Sequence, residues 1–254
     1  MPTPTVPTSP VSTKQNASGR VAVSVLDNPN DSQEDTHYYA MAWMANGDTY
    51  PLTFGVAKAG DYTPVTTTSS ATGTKGCGPT MVVLANGRTA VMAWVNAKQQ
   101  VTIGIAKASG SNPPKWSLDN TFSITGSKAA GSPTGCLTQQ NGFPVVTLVW
   151  QDANAGSMVY AQINPANVKN SLGFAPLGES CLDTPCLDRD GPCTILTYTR
   201  TDGQIALVCD IRGGVDFDFA NAFLPTGMTS TYGPCLVPLN PTTAYLIWAA
   251  DTQV

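Results

Sequence analysis

GCGPTMVVLANGRTAVMAWVNAKQQVTIGIAKASG, residues 76–110, holds a proline, an apolar run, a turn, and a second apolar run that ends at Trp94. Read alone, this is one hairpin. Its meaning changes once the chain is searched for copies, because self-similarity at a fixed period marks a repeat architecture. Runs equivalent to TAVMAWVN recur as YYAMAWMA, VVTLVWQD, TILTYTRT and AYLIWAAD. Their aromatics, Trp43, Trp94, Trp150, Tyr198 and Trp248, lie 51, 56, 48 and 50 residues apart. A second marker keeps phase with the first. CGPTMVV, SPTGCLT, DTPCLDR and YGPCLVP carry Pro79, Pro133, Pro185 and Pro234, each 13 to 17 residues before its aromatic. The quoted stretch is one copy of five.

Within a copy the pattern predicts four strands, in the second copy Pro79–Ala85, Arg88–Asn96, Gln100–Ser109 and Thr121–Ser127. Hairpin-type breaks separate the first two strands at matching places, as ANGR, QNGF, RDGP and NPTT. The second strands are apolar at successive positions, as in Val91, Met92, Ala93 and Trp94, so both their faces should be buried. No amphipathic helical stretch of useful length appears. The expected fold is all-β: a five-bladed β-propeller of four-stranded antiparallel blades. A β-sandwich is the alternative, but it gives the aromatic no reason to keep phase. The fifth copy stops soon after Trp248, so the last blade should be thin and closed by the N-terminal segment. Residues 1–19 then form a Pro/Thr/Ser-rich arm and residues 20–254 a single propeller domain. Completion by a neighbouring chain, giving a homo-oligomer, is the other way to finish that blade.

Composition excludes several classes of partner. Charged residues are 12% of the 254, and the formal net charge is −4 with no basic stripe, which argues against nucleic acid. No apolar run has the length to cross a bilayer. The opening MPTPTVPTSPVSTKQNASG lacks the basic and apolar regions of a signal peptide, while its Thr/Pro/Ser bias resembles a secreted linker. The triplets at Asn16 and Asn30 fit N-glycosylation. An extracellular location is expected. Seven cysteines leave at least one unpaired, and the turn in CLDRDGPC makes Cys186 and Cys193 the best candidate bridge. No CxxC pair offers a zinc site, and no motif calls for a cofactor.

The repeat G-P-x-x-hydrophobic, turn, x-hydrophobic-A-W, turn, hydrophobic-x-x-A-x-x-G is best matched at Gly78-Pro79, Ala93-Trp94 and the IGIAKASG run ending at Gly110. Over residues 20–250 it resembles the sialidase-like β-propeller repeat family, of degenerate Asp-box type, with the architecture of five-bladed lectins. The Asp-box survives at most as SGSNPPKW, ending at Trp116 and lacking its Asp. Sialidases hold the substrate carboxylate with three arginines and use a Tyr/Glu pair. The five arginines here, Arg20, Arg88, Arg189, Arg200 and Arg212, include two at turns on the wrong face, so catalysis does not carry over.

A glycosidase needs two facing carboxyls. The chain has two glutamates, Glu34 and Glu179, and its aspartates fall mostly in turns, Asp188 and Asp190 among them. His37, the sole histidine, is expected in an exposed loop. The first-strand cysteines Cys136, Cys186 and Cys235 would line or flank the central channel as packing residues. Binding is expected in the loops after the second strands, through Asp48, Asn96, Asp152, Asp202 and Asp251, whose short side chains accept hydrogen bonds from hydroxyls. Trp116, in a Pro-rich loop, is expected to be the accessible aromatic. Turn preference explains the five loop residues equally well. The reading that follows is a secreted, non-enzymatic, lectin-like module for glycans or other polar small ligands. A glycoside hydrolase or lyase of propeller type and a structural or assembly subunit are the alternatives.

Overall fold

A computed structural model of the chain describes residues 16–26, 38–58, 61–110, 114–140, 142–240 and 243–249. Strands β1 (Ala22–Leu26), β2 (Tyr38–Met44), β3 (Pro51–Lys58) and β4 (Asp61–Thr72) pair in chain order as one antiparallel sheet. The second sheet is β5 (Thr80–Val83), β6 (Thr89–Val95), β7 (Val101–Ser109) and β8 (Lys115–Ser123). The third is β9 (Thr134–Gln140), β10 (Phe143–Gln151), β11 (Ser157–Ile163) and β12 (Ala175–Ser180). Then come β13 (Cys186–Asp190), β14 (Cys193–Thr199) and β15 (Ile205–Asp210), and finally the ribbon of β16 (Cys235–Asn240) and β17 (Thr243–Ile247). Two short 3₁₀ turns, Val168–Ser171 and Phe219–Asn221, are the only helical segments among the described residues.

The sheets stack face to face in a propeller arrangement, and the second strands show why. On β6, Ala90, Met92 and Trp94 join a core with Ala42, Met44, Leu52 and Phe54 of the first sheet. The alternate residues Val91, Ala93 and Val95 join a core with Val146, Leu148 and Trp150 of the third sheet. On β10, Val149 turns the other way, into a core with Leu196 and Tyr198. Because side chains alternate across a strand, only a sheet covered on both faces can bury a continuous apolar run. Trp94, Trp150 and Tyr198 each face the preceding sheet and are at most 2% exposed. The Trp94 indole N–H donates across its seam to the Thr72 carbonyl, 3.2 Å away.

At the axis the first strands β1, β5, β9, β13 and β16 follow one another. The segments leading into them touch backbone to backbone. A Cβ at Gly78 would lie inside van der Waals contact of the Arg20 carbonyl, and one at Gly233 inside that of Thr184. Hydrogen bonds tie the same segments together. The Gly78 N–H donates to Ser132 Oγ (2.8 Å), the Leu187 N–H to Thr134 Oγ1 (3.1 Å) and the Gly233 N–H to Asp183 Oδ2 (2.9 Å).

Several expectations need correction. Among the described residues three sheets have four strands, the fourth has three, and the fifth unit is a two-stranded ribbon, so four sheets rather than five qualify as blades. In the fourth sheet the outer strand is reduced to isolated bridges, Leu207 with Phe223 and Gln204 with Thr229, around the Phe219–Asn221 turn. The fourth strand of the second copy starts at Lys115, not Thr121, because Trp116 and Leu118 alternate inward and extend the pairing with β7.

Gly78→Ala and Gly233→Ala should each lower the thermal midpoint by about 10 °C or more, as backbone must move to admit the methyl group. Gly173→Ala, with nothing within 4 Å of its added Cβ, should stay within about 2 °C of the parent by scanning calorimetry.

Candidate functional site

The loops after the second strands prove to be built from the side chains expected to bind. Asn96 Oδ1 accepts from the Lys98 and Gln100 amides (2.8 and 3.1 Å), while its Nδ2 donates to Thr102 Oγ1 (2.9 Å) and Ser123 Oγ (3.2 Å). Asp152 Oδ1 accepts from the Asn154 and Ala155 amides (2.9 and 3.1 Å). Its Oδ2 accepts from the Ser127 hydroxyl (2.6 Å), whose oxygen in turn accepts from the Trp150 indole (2.9 Å). Burial pushes the Asp152 carboxyl up, but Ser127 and the loop amides outweigh it, so it titrates below the ordinary aspartate range. Asp202 Oδ1 accepts from the Gln204 amide at 3.0 Å, and its Oδ2 lies 3.7 Å from Arg200 Nε. Asp48 is exposed. Asp251 and His37 lie outside the described residues. Asn and Asp at these places shape turns by mimicking a backbone acceptor. None of Asp48, Asn96, Asp152 and Asp202 lines any of the three cavities below.

Trp116 also needs correction. It lies on β8 opposite Ala108 and is 2% exposed, packed in the core between the first two sheets. There it lines a cleft of about 700 Å³ between the outer strands β4 and β8. The walls are Thr67, Thr68, Ser69 and Ser70 on one side and Asp119, Asn120 and Thr121 on the other, with Phe54 and Trp116 among the buried lining. Ser69 Oγ is used on the Leu52 carbonyl (3.0 Å), Thr68 Oγ1 sits 3.3 Å from Thr53 Oγ1, and Asp119 pairs with Lys107 at 2.6 Å. The side chains of Thr67, Ser70, Asn120 and Thr121 make no hydrogen bond among the described residues. The Trp116 indole N–H is buried with no acceptor. Sequence reasoning missed this cleft. The signal was the hydroxyl run TTTSS on an outer strand, which only a placed neighbour turns into a wall.

A second cavity, about 440 Å³, lies at the axis between β1, β5, β9 and β13. Its lining includes Cys136, Asp188 and Arg189. Burial holds the Asp188 carboxyl above the ordinary aspartate range, assisted by the charge of Asp190. Burial also pushes the Cys136 thiol up to about 12, which leaves it a protonated packing group at neutral pH. A third, about 690 Å³, lies beside Phe143 and has a largely apolar lining without ionisable groups. Each of the first two cavities therefore contains one carboxyl and the third none. Among the described residues no group of three or more His, Cys, Asp or Glu side chains is placed to hold a metal ion.

The candidate bridge between Cys186 and Cys193 also fails on register. Cys186 stands opposite Thr197 and Cys193 opposite Asp190. Four residues of offset separate them by about 13 Å along the strands, beyond the roughly 7 Å Cα reach of a disulfide. The Cys186 sulfur instead lies 4.0 Å from that of Cys235, and Cys209 is hydrogen-bonded with Cys193.

No family model and no curated protein matches the chain. Solved structures do. The Arg-to-Ala triple mutant of AofleA from Arthrobotrys oligospora aligns with a TM-score of 0.58 at 9% identity, covering 94% of this chain and 69% of that one. An Aleuria aurantia lectin mutant, in complex with Fucα1-6GlcNAc, aligns at 0.57 and 13%, covering 85% and 66%. The exo-β-1,3-galactanase of Phanerochaete chrysosporium, with β-1,3-galactotriose, aligns at 0.51 and 10% over 93% of this chain, which spans 60% of the enzyme's length. The fold is a β-propeller. At these identities the likeness carries the fold alone.

Ser127→Ala and Asp152→Ala should each destabilise the protein by about 2 kcal/mol, since each strands a buried partner. The double variant should cost less than the sum by at least about 0.5 kcal/mol. The Asp152 carboxyl is lower in the folded chain than in the unfolded one, so its contribution is fully present above about pH 4 and fades as pH falls through the folded value. Urea denaturation between pH 7 and pH 2.5 should show the Asp152→Ala deficit shrinking.

Proposed function

We propose that this chain is a non-enzymatic, carbohydrate-binding propeller and that the saccharide lies in the cleft between β4 and β8. The observation that carries the reading is the cleft's chemistry. Four uncommitted side chains, Thr67, Ser70, Asn120 and Thr121, offer donors and acceptors around a space large enough for a mono- or disaccharide. Trp116, in the lining, buries an indole N–H that a ligand oxygen would satisfy. A lectin and an exo-β-1,3-galactanase among the structural neighbours make a sugar the natural first ligand to test. The hydrolase or lyase reading has less support, because two carboxyls facing one another across a pocket are what that chemistry needs. Each described cavity offers one or none.

The same proposal includes a five-unit ring and an extracellular site of action. The described part of the N-terminal arm pairs with the first sheet rather than the β16–β17 ribbon, through the Ala17–Ala45 bridge and the Ser18 N–H donating to the Met44 carbonyl. Trp43 supports closure of the ring. It projects to the face of the first sheet opposite Ala40, Ala42 and Met44, where the last unit would pack, and it is 3% exposed. A second reading, an assembly subunit, is favoured by Tyr245 and Ile247 on the ribbon, 60% and 57% exposed. It predicts a concentration-dependent oligomer by light scattering.

A glycan array followed by calorimetry should find a saccharide ligand with a dissociation constant of millimolar or tighter. The triple variant Ser70→Ala/Asn120→Ala/Thr121→Ala, all at exposed positions, should weaken it at least tenfold with an unchanged thermal midpoint. Absence of saccharide binding, or binding indifferent to the variant, removes the assignment.

A further inference from the structure

We propose that Cys186 and Cys235 are a modification site, forming a disulfide that ties the last ribbon to the sheet before it. The two cysteines hold equivalent places in successive copies, each directly after the proline that opens a first strand, Pro185 and Pro234. Their strands, β13 and β16, are neighbours around the axis, and the two sulfurs are 4.0 Å apart. A side-chain turn that brings them about 2 Å closer gives bonding distance. The approach of the two strands is fixed independently, since Gly233 packs against the Thr184 carbonyl and its N–H is held by Asp183. The equivalent place in the other copies, opposite the residue before each repeat aromatic, is Ala22, Thr80 and Thr134. Of these, Thr134 already crosses to the next unit through its hydroxyl, which accepts from the Leu187 N–H. The thiol pair does covalently, one unit further round, what that hydroxyl does by hydrogen bonding.

The environment also assigns the order of events. Cys235 is exposed, whereas Cys186 is half-buried. The Cys186 thiol donates to the Cys235 sulfur, and Arg20 lies nearby, so the Cys235 thiol titrates down to about 6 against the opposing effect of burial. Its thiolate attacks one sulfur of a low-molecular-weight disulfide such as oxidised glutathione, forming a mixed disulfide and releasing one glutathione thiolate. Cys186, after giving up its proton, attacks the Cys235 sulfur and expels the second glutathione. Two protein thiols are oxidised and one glutathione disulfide is reduced to two thiols. The protons lost by the protein are taken up by the leaving thiolates. The bond closes a loop of about fifty residues that includes all of β14 and β15. It stands independently of any sugar ligand.

The test uses the full chain, incubated with oxidised glutathione at pH 7.5, alkylated, and mapped by non-reducing peptide mass spectrometry. The expected product joins the peptides of Cys186 and Cys235 and raises the thermal midpoint by about 10 °C, reversibly on reduction. Cys186→Ser and Cys235→Ser should each lose both the product and the gain. Cys193→Ala/Cys209→Ala, which removes the neighbouring thiol pair, should retain both. A bridge between Cys193 and Cys209 alone, or a glutathione adduct left standing on Cys235, would overturn the proposal, and mapping the unsubstituted chain decides this even where a variant fails to fold.

Discussion

Around the axis of this molecule peptide groups meet with no side chain between them. Gly78 abuts the Arg20 carbonyl and Gly233 that of Thr184, so the entries to β5 and β16 are set by the backbone of the unit before. Side-chain bonds from Ser132, Thr134 and Asp183 then fix the spacing. Once first strands are held this close at one end, each sheet can extend outward only by fanning. The seams between sheets are what remain to be filled. They are filled by aliphatic residues on the second and third strands and, in the second, third and fourth copies, by one large aromatic aimed at the preceding sheet.

That geometry also decides where a ligand has room. Along the second strands the seams are filled by apolar side chains. Farther out the sheets diverge, and between β4 and β8 the gap opens into a cleft whose sides are outer-strand hydroxyls and amides. Outer strands are free to be polar because one of their edges faces solvent. The low charge of the chain has the same origin: hydroxyl- and amide-bearing strands keep the surface wet without ion pairs, and only Lys107–Asp119 and Arg200–Asp202 are paired among the described residues.

The repeat was legible in the sequence because two separate constraints left marks at one period. Sheets packed on both sides need continuous apolar runs such as VMAW, and convergence at the axis needs Gly-Pro or a near equivalent. The candidate site was much less legible. Asn96 and Asp152 look like ligand residues and turn residues alike, since the same short acceptor serves both, and the structure shows the turn has used them. Trp116 follows two prolines, which reads as loop, yet its alternation with Leu118 continues a strand. The pairing of Cys186 with Cys235 is invisible to local spacing, because it joins equivalent places in successive copies rather than two arms of one hairpin. Walls contributed by different copies cannot be read from either copy alone.

Each sheet buries its two faces against the sheets before and after it, so stability accumulates pairwise along the chain. The exception is the approach of Arg20 to Gly233, where an Arg20 guanidinium nitrogen would lie 3.2 Å from an added Cβ. Those residues are almost a whole chain apart, so bringing them together carries the largest loop-closure entropy in the molecule. Folding should therefore proceed as a growing arc whose joining of first and last units comes late and limits the rate.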